Sequence, residues 1–334
     1  MRSAADIASR AQSCFINFRF FYLHSHHADF HPMSTPSLQD RIRGMIWGQL
    51  VGDAAALGAH WIYDLDELAR AYPNGIHGFE EPREGHYHFG KHAGDQTHYG
   101  DGGLLLLESM AECGAFDTAD FARRFVAFFG NPNCKSYRDA ATKETLQHLA
   151  TDPANLQNGA HSDDQPATVT RLAAVVAVHR DNPAIIGAVT RFAQNNAHAV
   201  EYALAHAQIL SALLDGMDFP AALDRVTGST AAGRIAAARA AYGMPVTEAT
   251  STFGQACPLP RAFPAAVHAT LSHPADFRSA ILSTIRAGGD SAARASMIGA
   301  WLGAALGIAG IPEEWRYRLT ARETIRRHIE ELPL

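Results

Sequence analysis

The segment Gly44-Met45-Ile46-Trp47-Gly48-Gln49-Leu50-Val51-Gly52-Asp53 carries a glycine at every fourth position, and Gly299-Ala300-Trp301-Leu302-Gly303-Ala304-Ala305-Leu306-Gly307 repeats the pattern. A period of four lines each set along one face of a helix. Glycine inside a helix costs about 1 kcal/mol relative to alanine, so two such stripes point to a packing requirement in which two backbones approach closely. Asp53 follows the first stripe, and Asp290 precedes the second by nine residues. An antiparallel pairing therefore predicts both carboxylates at one end, each about 14 Å by helical rise from a shared Gly44/Gly299 level.

Outward from the stripes, the rhythm stays helical. Apolar and alanine positions recur at spacings of three and four, and alternating β-branched runs are scarce. Helices are predicted over 38–59, 65–72, 103–113, 118–129, 136–150, 166–180, 183–194, 197–215, 219–226, 230–242, 264–271, 275–285, 291–308 and 313–330. Capping residues and prolines open several of them, as at Asp117-Thr118, Asn182-Pro183 and Asp163-Asp164-Gln165-Pro166. The long interruption is 73–101, rich in Gly, His and aromatic residues; a loop of that length inside a domain is characteristically functional. With no linker and no internal repeat, residues 37–334 read as one all-α domain. Residues 1–36 read as an extension outside it, with Met33 as a natural start ahead of Ser34-Thr35-Pro36-Ser37.

Composition narrows the partners. A formal charge of −6, from 34 acids against 28 bases, gives no basic surface for nucleic acid. No apolar run reaches the roughly 20 residues of a membrane span. The four cysteines form no CxxC pair, which argues against a disulfide framework or a cysteine zinc site and suits a reducing, cytoplasmic compartment. A small molecule or a modified protein is the expected partner.

Three places carry candidate chemistry. Gly288-Gly289-Asp290-Ser291 is a flexible turn feeding a helix N-terminus, where free amides and the dipole favour an anion such as phosphate, and Asp290 with Asp53 offers carboxylates for a cation. His60 and Trp61, just beyond Gly52, are placed to stack on or hydrogen-bond a nucleotide. Asp101 precedes the flexible Gly102-Gly103 and is a further carboxylate at a helix start, and His98 beside it is a candidate ligand of a softer metal than magnesium, such as zinc or manganese.

These motifs resemble the ADP-ribosylglycohydrolase family, in particular the divergent branch that includes the J1 crystallins. The matching pieces are Gly44 to Ala54 with Leu57 to Asp64, Gly94 to Met110, and Ala287 to Asp290 running through Gly310-Ile311-Pro312-Glu313-Glu314-Trp315. The resemblance implies an orthogonal multi-helix bundle with a cleft for ADP-ribose, with Gly52, His60, Gly288, Gly289 and Ser291 on the ligand side. It also implies a metal-assisted hydrolase in which one or two magnesium ions position the distal ribose, with an ADP-ribosylated protein or metabolite as substrate. In active relatives a Thr-Asp-Asp-Thr segment and the acids of Gly-Asp-x-Asp-Thr hold the ions. Here the first motif falls on Thr97-His98-Tyr99-Gly100 and the second on Asp290-Ser291-Ala292-Ala293. Asp53, Asp101 and Asp290, with His98, are then the metal ligands expected, and Asp101 and Asp53 the catalytic carboxylates. The alternative is a catalytically impaired relative that binds a nucleotide or serves a structural, crystallin-like role.

Overall fold

In the computed structural model, which describes residues 35–334, the glycine stripes lie face to face. A Cβ at Gly48 would collide with the carbonyl of Gly299, one at Gly303 with the carbonyl of Gly44, and one at Gly52 with the carbonyl of Ala295. The pairing is antiparallel, and its register is one turn from the expected one: Gly44 faces Gly303 and Gly48 faces Gly299. Gly307 leaves the helix to act as its C-cap, at φ 72°. Asp53 therefore sits beside the Ala295 level, whereas Asp290 lies about 7 Å further along, at the helix start.

The sixteen α-helices of the described residues are α1 (Leu38–Ala56), α2 (Leu65–Ala71), α3 (His98–Cys113), α4 (Thr118–Phe129), α5 (Ala140–Thr151), α6 (Ala173–His179), α7 (Pro183–Ala193), α8 (Ala197–Leu214), α9 (Phe219–Leu223), α10 (Thr230–Ala240), α11 (Val246–Phe253), α12 (Leu259–Ser272), α13 (Phe277–Arg286), α14 (Ser291–Leu306), α15 (Glu313–Arg318) and α16 (Arg322–Glu331). Strand pairing among the described residues is confined to isolated bridges such as Ile62 with Gly289. The fold is all-α, as the periodicity requires. The reading of residues 1–36 as an extension falls outside the described residues, apart from its last two. No helix among the described residues is long and apolar enough to cross a membrane.

α1 and α14 form the central pair, buried along most of their length. Ser37 caps α1 by accepting from the Asp40 amide at 3.2 Å. Trp301 on α14 anchors an aromatic cluster with Phe219, Phe263 and His206, at ring separations of 5.4, 5.7 and 5.4 Å.

Several boundaries differ from the periodicity, each for a local reason. α3 begins five residues early, because Thr97 caps it and accepts from the Tyr99 amide at 3.1 Å, so His98, Tyr99 and Asp101 are helical. The helix expected from 166 starts only at Ala173, after a 3-10 turn. Asp163 accepts from the Gln165 amide at 3.0 Å and from Gln194 Nε2 at 2.9 Å instead of capping a helix. The C-terminal helix is broken between Arg318 and Arg322, where the Thr320 amide donates to the Gly94 carbonyl at 3.0 Å. α11 was not signalled at all.

His206 on α8 provides a pH test of this core. Its ring is fully buried with neither nitrogen partnered, and burial pulls its pKa down to about 3. Between that value and the ordinary 6.5, the unfolded chain holds a proton that the folded chain lacks. The contribution to stability is thus full above pH 6.5 and declines as pH falls. Against His206→Phe, the native chain should lose stability below pH 6.5 with a slope of up to about 1.4 kcal/mol per pH unit. Denaturant melts of both chains at several pH values check this; parallel profiles would refute it.

Candidate active site

The N-terminal turn of α3 is inserted between Asp53 and Asp290, and each carboxylate is held by a different group on it. Asp53, fully buried near the end of α1, accepts from the Thr97 amide and hydroxyl at 2.6 Å each and from the Gly100 amide at 3.2 Å. It satisfies the free amides that open α3. Gly100 must lack a side chain, because a Cβ there would press on this carboxylate. Burial pushes the Asp53 carboxyl up to about 6, against the pull of its bonds to Thr97.

Asp290 is equally buried. Its Oδ2 accepts from the Tyr99 hydroxyl at 3.3 Å, and its Oδ1 lies 3.4 Å from His60 Nδ1. It precedes α14 without a side-chain capping bond. Burial raises its carboxyl above the usual range, opposed by the Arg294 guanidinium. Arg294, fully buried one turn into α14, donates to the carbonyls of Gly288 and Gln255.

Gly288 and Gly289 both take left-handed backbone, at φ 70° and 67°, which lets the turn pass close to Gln255. The amides beyond them have protein partners: Gly289 donates to Ile62, Asp290 to Gln255, and Ser291 to Gly289, while Ala292 donates to His60 Nδ1 at 3.3 Å. An anion at this helix start would have to displace them. The Ser291 hydroxyl is buried without a partner. Gly52 faces the α14 backbone.

Asp101 lies on the other side of α3. Its Oδ2 accepts from Lys91 Nζ at 2.5 Å, and Lys91 also donates to the Gln96 carbonyl at 2.6 Å. Both side chains are largely buried and form part of the wall of a cleft of about 440 Å³, with Asn131, Asn133, Lys135 and Ser136. Burial raises the Asp101 carboxyl and Lys91 counteracts it.

The segment 72–97 is pinned at several points. The Phe79 amide donates to the Ala55 carbonyl at 2.9 Å, His86 Nε2 lies 2.6 Å from the His60 carbonyl, and Thr320 Oγ1 donates to Asp95 at 2.7 Å. This brings His88 against His60 and His98, with ring centroids 5.5 and 5.7 Å away. Trp61 stacks on His60 at 4.2 Å and on His88 at 5.6 Å, and holds a left-handed backbone at φ 65°. Such strain in a non-glycine residue is characteristic of functional sites. The Trp61 amide donates to the Gly289 carbonyl at 2.8 Å.

A model of the ADP-ribosylglycohydrolase family matches residues 34–334. The chain belongs to the ADP-ribosylglycohydrolase family. Among its relatives, crystallin J1A of Tripedalia cystophora is 26% identical over 324 residues, spanning 90% of this chain and 98% of that one. Crystallin J1B of the same organism is 27% identical, over 88% and 96% of the two chains. A solved structure titled "ADP-ribosylglycohydrolase-related protein complex" superposes with a TM-score of 0.65 at 21% identity, covering 88% of this chain and 97% of that one, and attests the fold.

The dinuclear magnesium centre that the family resemblance implies does not fit these residues. Magnesium requires hard oxygen ligands in near-octahedral array. Both oxygens of Asp53 are engaged by α3, Asp101 carries the Lys91 ammonium, and buried Ala292 and Ala293 stand after Asp290 where further oxygen ligands are needed. The sequence pattern pointed to Asp53, Asp101, Asp290, His60 and His98. It gave no signal for Tyr99, Lys91, Arg294 or Asp139, whose Oδ2 lies 3.5 Å from His98 Nε2, and His88 belongs to a loop whose histidines have no regular ligand spacing.

Proposed function

We propose that this chain hydrolyses the glycosidic link of an ADP-ribosylated protein or metabolite, at the cluster of buried polar side chains where α1, α3 and α14 meet, without a dinuclear magnesium centre. The observation that carries this reading is a concentration of buried polar atoms without partners: His60 Nε2, both nitrogens of His88, Asp290 Oδ1, the Ser291 hydroxyl and Arg294 Nε. An unsatisfied buried polar group costs about 1–3 kcal/mol, so such a concentration marks a place prepared for a ligand.

Asp290 is the group suited to move the proton. Burial raises its carboxyl, the Tyr99 hydroxyl donates to its Oδ2, and its unpaired Oδ1 stands 3.4 Å from His60 Nδ1. In the reaction the bond from the anomeric carbon to the leaving nitrogen or oxygen breaks, water supplies the new oxygen, and the leaving group takes up a proton. Arg294 offers charge to an anionic substrate.

One observation favours a second reading, a relative that binds a nucleotide or serves a structural role. Both oxygens of Asp53 are taken up by the start of α3, and Asp101 is paired with the Lys91 ammonium. The similarity to crystallins points the same way.

The test is chromatographic release of free ADP-ribose from N-linked and O-linked ADP-ribosylated peptides, with and without added magnesium. Release from at least one linkage, undiminished when magnesium is withheld, is expected. Absence of release from both, with ADP-ribose binding still seen by calorimetry, would replace the hydrolase with the binding protein. Absence of both release and binding would leave only the structural role.

A further inference from the structure

We infer that His60, His88 and His98 form a mononuclear transition-metal site, of the class that takes zinc, distinct from any magnesium site built on carboxylates. One nitrogen from each ring lies within 4.8 Å of the others, and all three side chains are completely buried. Five of their six ring nitrogens have no hydrogen-bond partner. Neutral imidazoles packed together away from water would leave those nitrogens unpaired at considerable cost; a metal satisfies one on each ring.

The surroundings set which nitrogen each ring presents. Asp290 Oδ1 lies 3.4 Å from His60 Nδ1, and Asp139 Oδ2 lies 3.5 Å from His98 Nε2. A carboxylate behind a metal-bound histidine holds the proton on the far nitrogen and turns the near one to the metal. The Ala292 amide also approaches His60 Nδ1, at 3.3 Å, but the charged carboxylate is the stronger partner there. His60 Nε2 and His98 Nδ1 are thereby left as ligands, and His88 is free at both nitrogens. Tetrahedral zinc with bonds of about 2.0–2.1 Å needs its ligand nitrogens about 3.4 Å apart. One nitrogen of each ring lies within 4.8 Å of the others, and the rings would close toward that spacing as an ion binds.

Imidazole nitrogens select zinc, copper, nickel or iron over magnesium and calcium. Three histidines leave a fourth position for water or substrate, the arrangement of catalytic more than of structural zinc. The three ligands come from the 3-10 turn that follows α1, the 72–97 segment and the first turn of α3, so the ion would also fasten that segment to the core. The site shares His60 and His88 with the cluster assigned to the hydrolase, but its test, metal uptake, is read separately from turnover.

The experiment is elemental analysis of the full chain, as purified and after reloading with zinc, with zinc affinity measured by chelator competition and cobalt substitution read by visible absorption. About one ion per chain and a tetrahedral cobalt spectrum are expected. His88→Phe, which keeps an aromatic ring in the stack and removes the ligand nitrogens, should abolish stoichiometric binding. Asp139→Asn should weaken it about 10–100-fold. His206→Phe, at a buried histidine outside the cluster, should bind as the native chain does. Should His88→Phe fail to fold, Asp139→Asn decides alone. A native chain that takes up no zinc, copper, nickel or iron overturns the site, and so does zinc affinity unchanged in both His88→Phe and Asp139→Asn. Metal bound without ADP-ribose release would sink the hydrolase and leave the site; ADP-ribose release by a chain that takes up none of these metals would do the reverse.

Discussion

Asp290→Asn is expected to lower turnover of an ADP-ribosylated peptide by about 10²–10⁴-fold while changing the Michaelis constant little, the range for loss of a positioned proton-transfer group. Asparagine keeps the shape and can still accept from the Tyr99 hydroxyl, which lies 3.3 Å from Asp290 Oδ2. What it removes is the ability to gain or lose a proton. It also removes the negative charge facing Arg294, the largest of the effects opposing burial at this carboxyl. Binding of a phosphate-bearing ligand should therefore persist or tighten as kcat falls. Zinc content is measured in the same preparation, because Asp290 also stands behind His60, 3.4 Å away. A fall in turnover with the metal retained assigns the loss to proton transfer. An Asp290→Asn chain that turns over like the native one would remove Asp290 from the chemistry.

How much of this was legible follows from how each feature is encoded. The α1–α14 pair was readable because close approach of two backbones demands glycine, and a helix without that demand has no use for glycine at every fourth residue. Its register was not, because Gly307 serves as a cap and extends the apparent stripe by one turn. α11 escaped because its Thr-rich sequence, Val246-Thr247-Glu248-Ala249-Thr250-Ser251-Thr252-Phe253, has weak helical propensity and is held by tertiary packing. The site was half visible. Asp53 and Asp290 follow from the stripes, but the partners of each are set by α3, whose start depends on Thr97 as a cap within a stretch that reads as loop. His88 could not be selected by spacing. Its neighbours His60 and His98 come from other segments, and only the fold brings the three together.

The stripe itself yields the largest effect on folding. Gly48→Ala should destabilise the chain by about 3 kcal/mol or more, at or above the upper end of ordinary overpacking. The added methyl would meet the backbone carbonyl of Gly299, which cannot swing aside as a side chain does. The only relief is to separate α1 from α14, and that loosens Gly44 and Gly52 from their own partners as well. Gly48→Leu should not fold at all, since total stabilities of about 5–15 kcal/mol leave no room for such a separation. Gly299→Ala added to Gly48→Ala should cost less than the sum of the two, because both relieve strain by the same displacement. The control is Gly233→Ala, in the middle of α10 with nothing within 4 Å of the new methyl. There alanine should stabilise by about 0.5–1 kcal/mol, through the lower entropy of the unfolded chain and better helix propensity. Denaturant midpoints for these variants and the native chain decide the matter. If Gly48→Ala unfolds with Gly233→Ala and the native chain, the two backbones are not in contact, and the position of both carboxylates at the end of the stripe loses its basis.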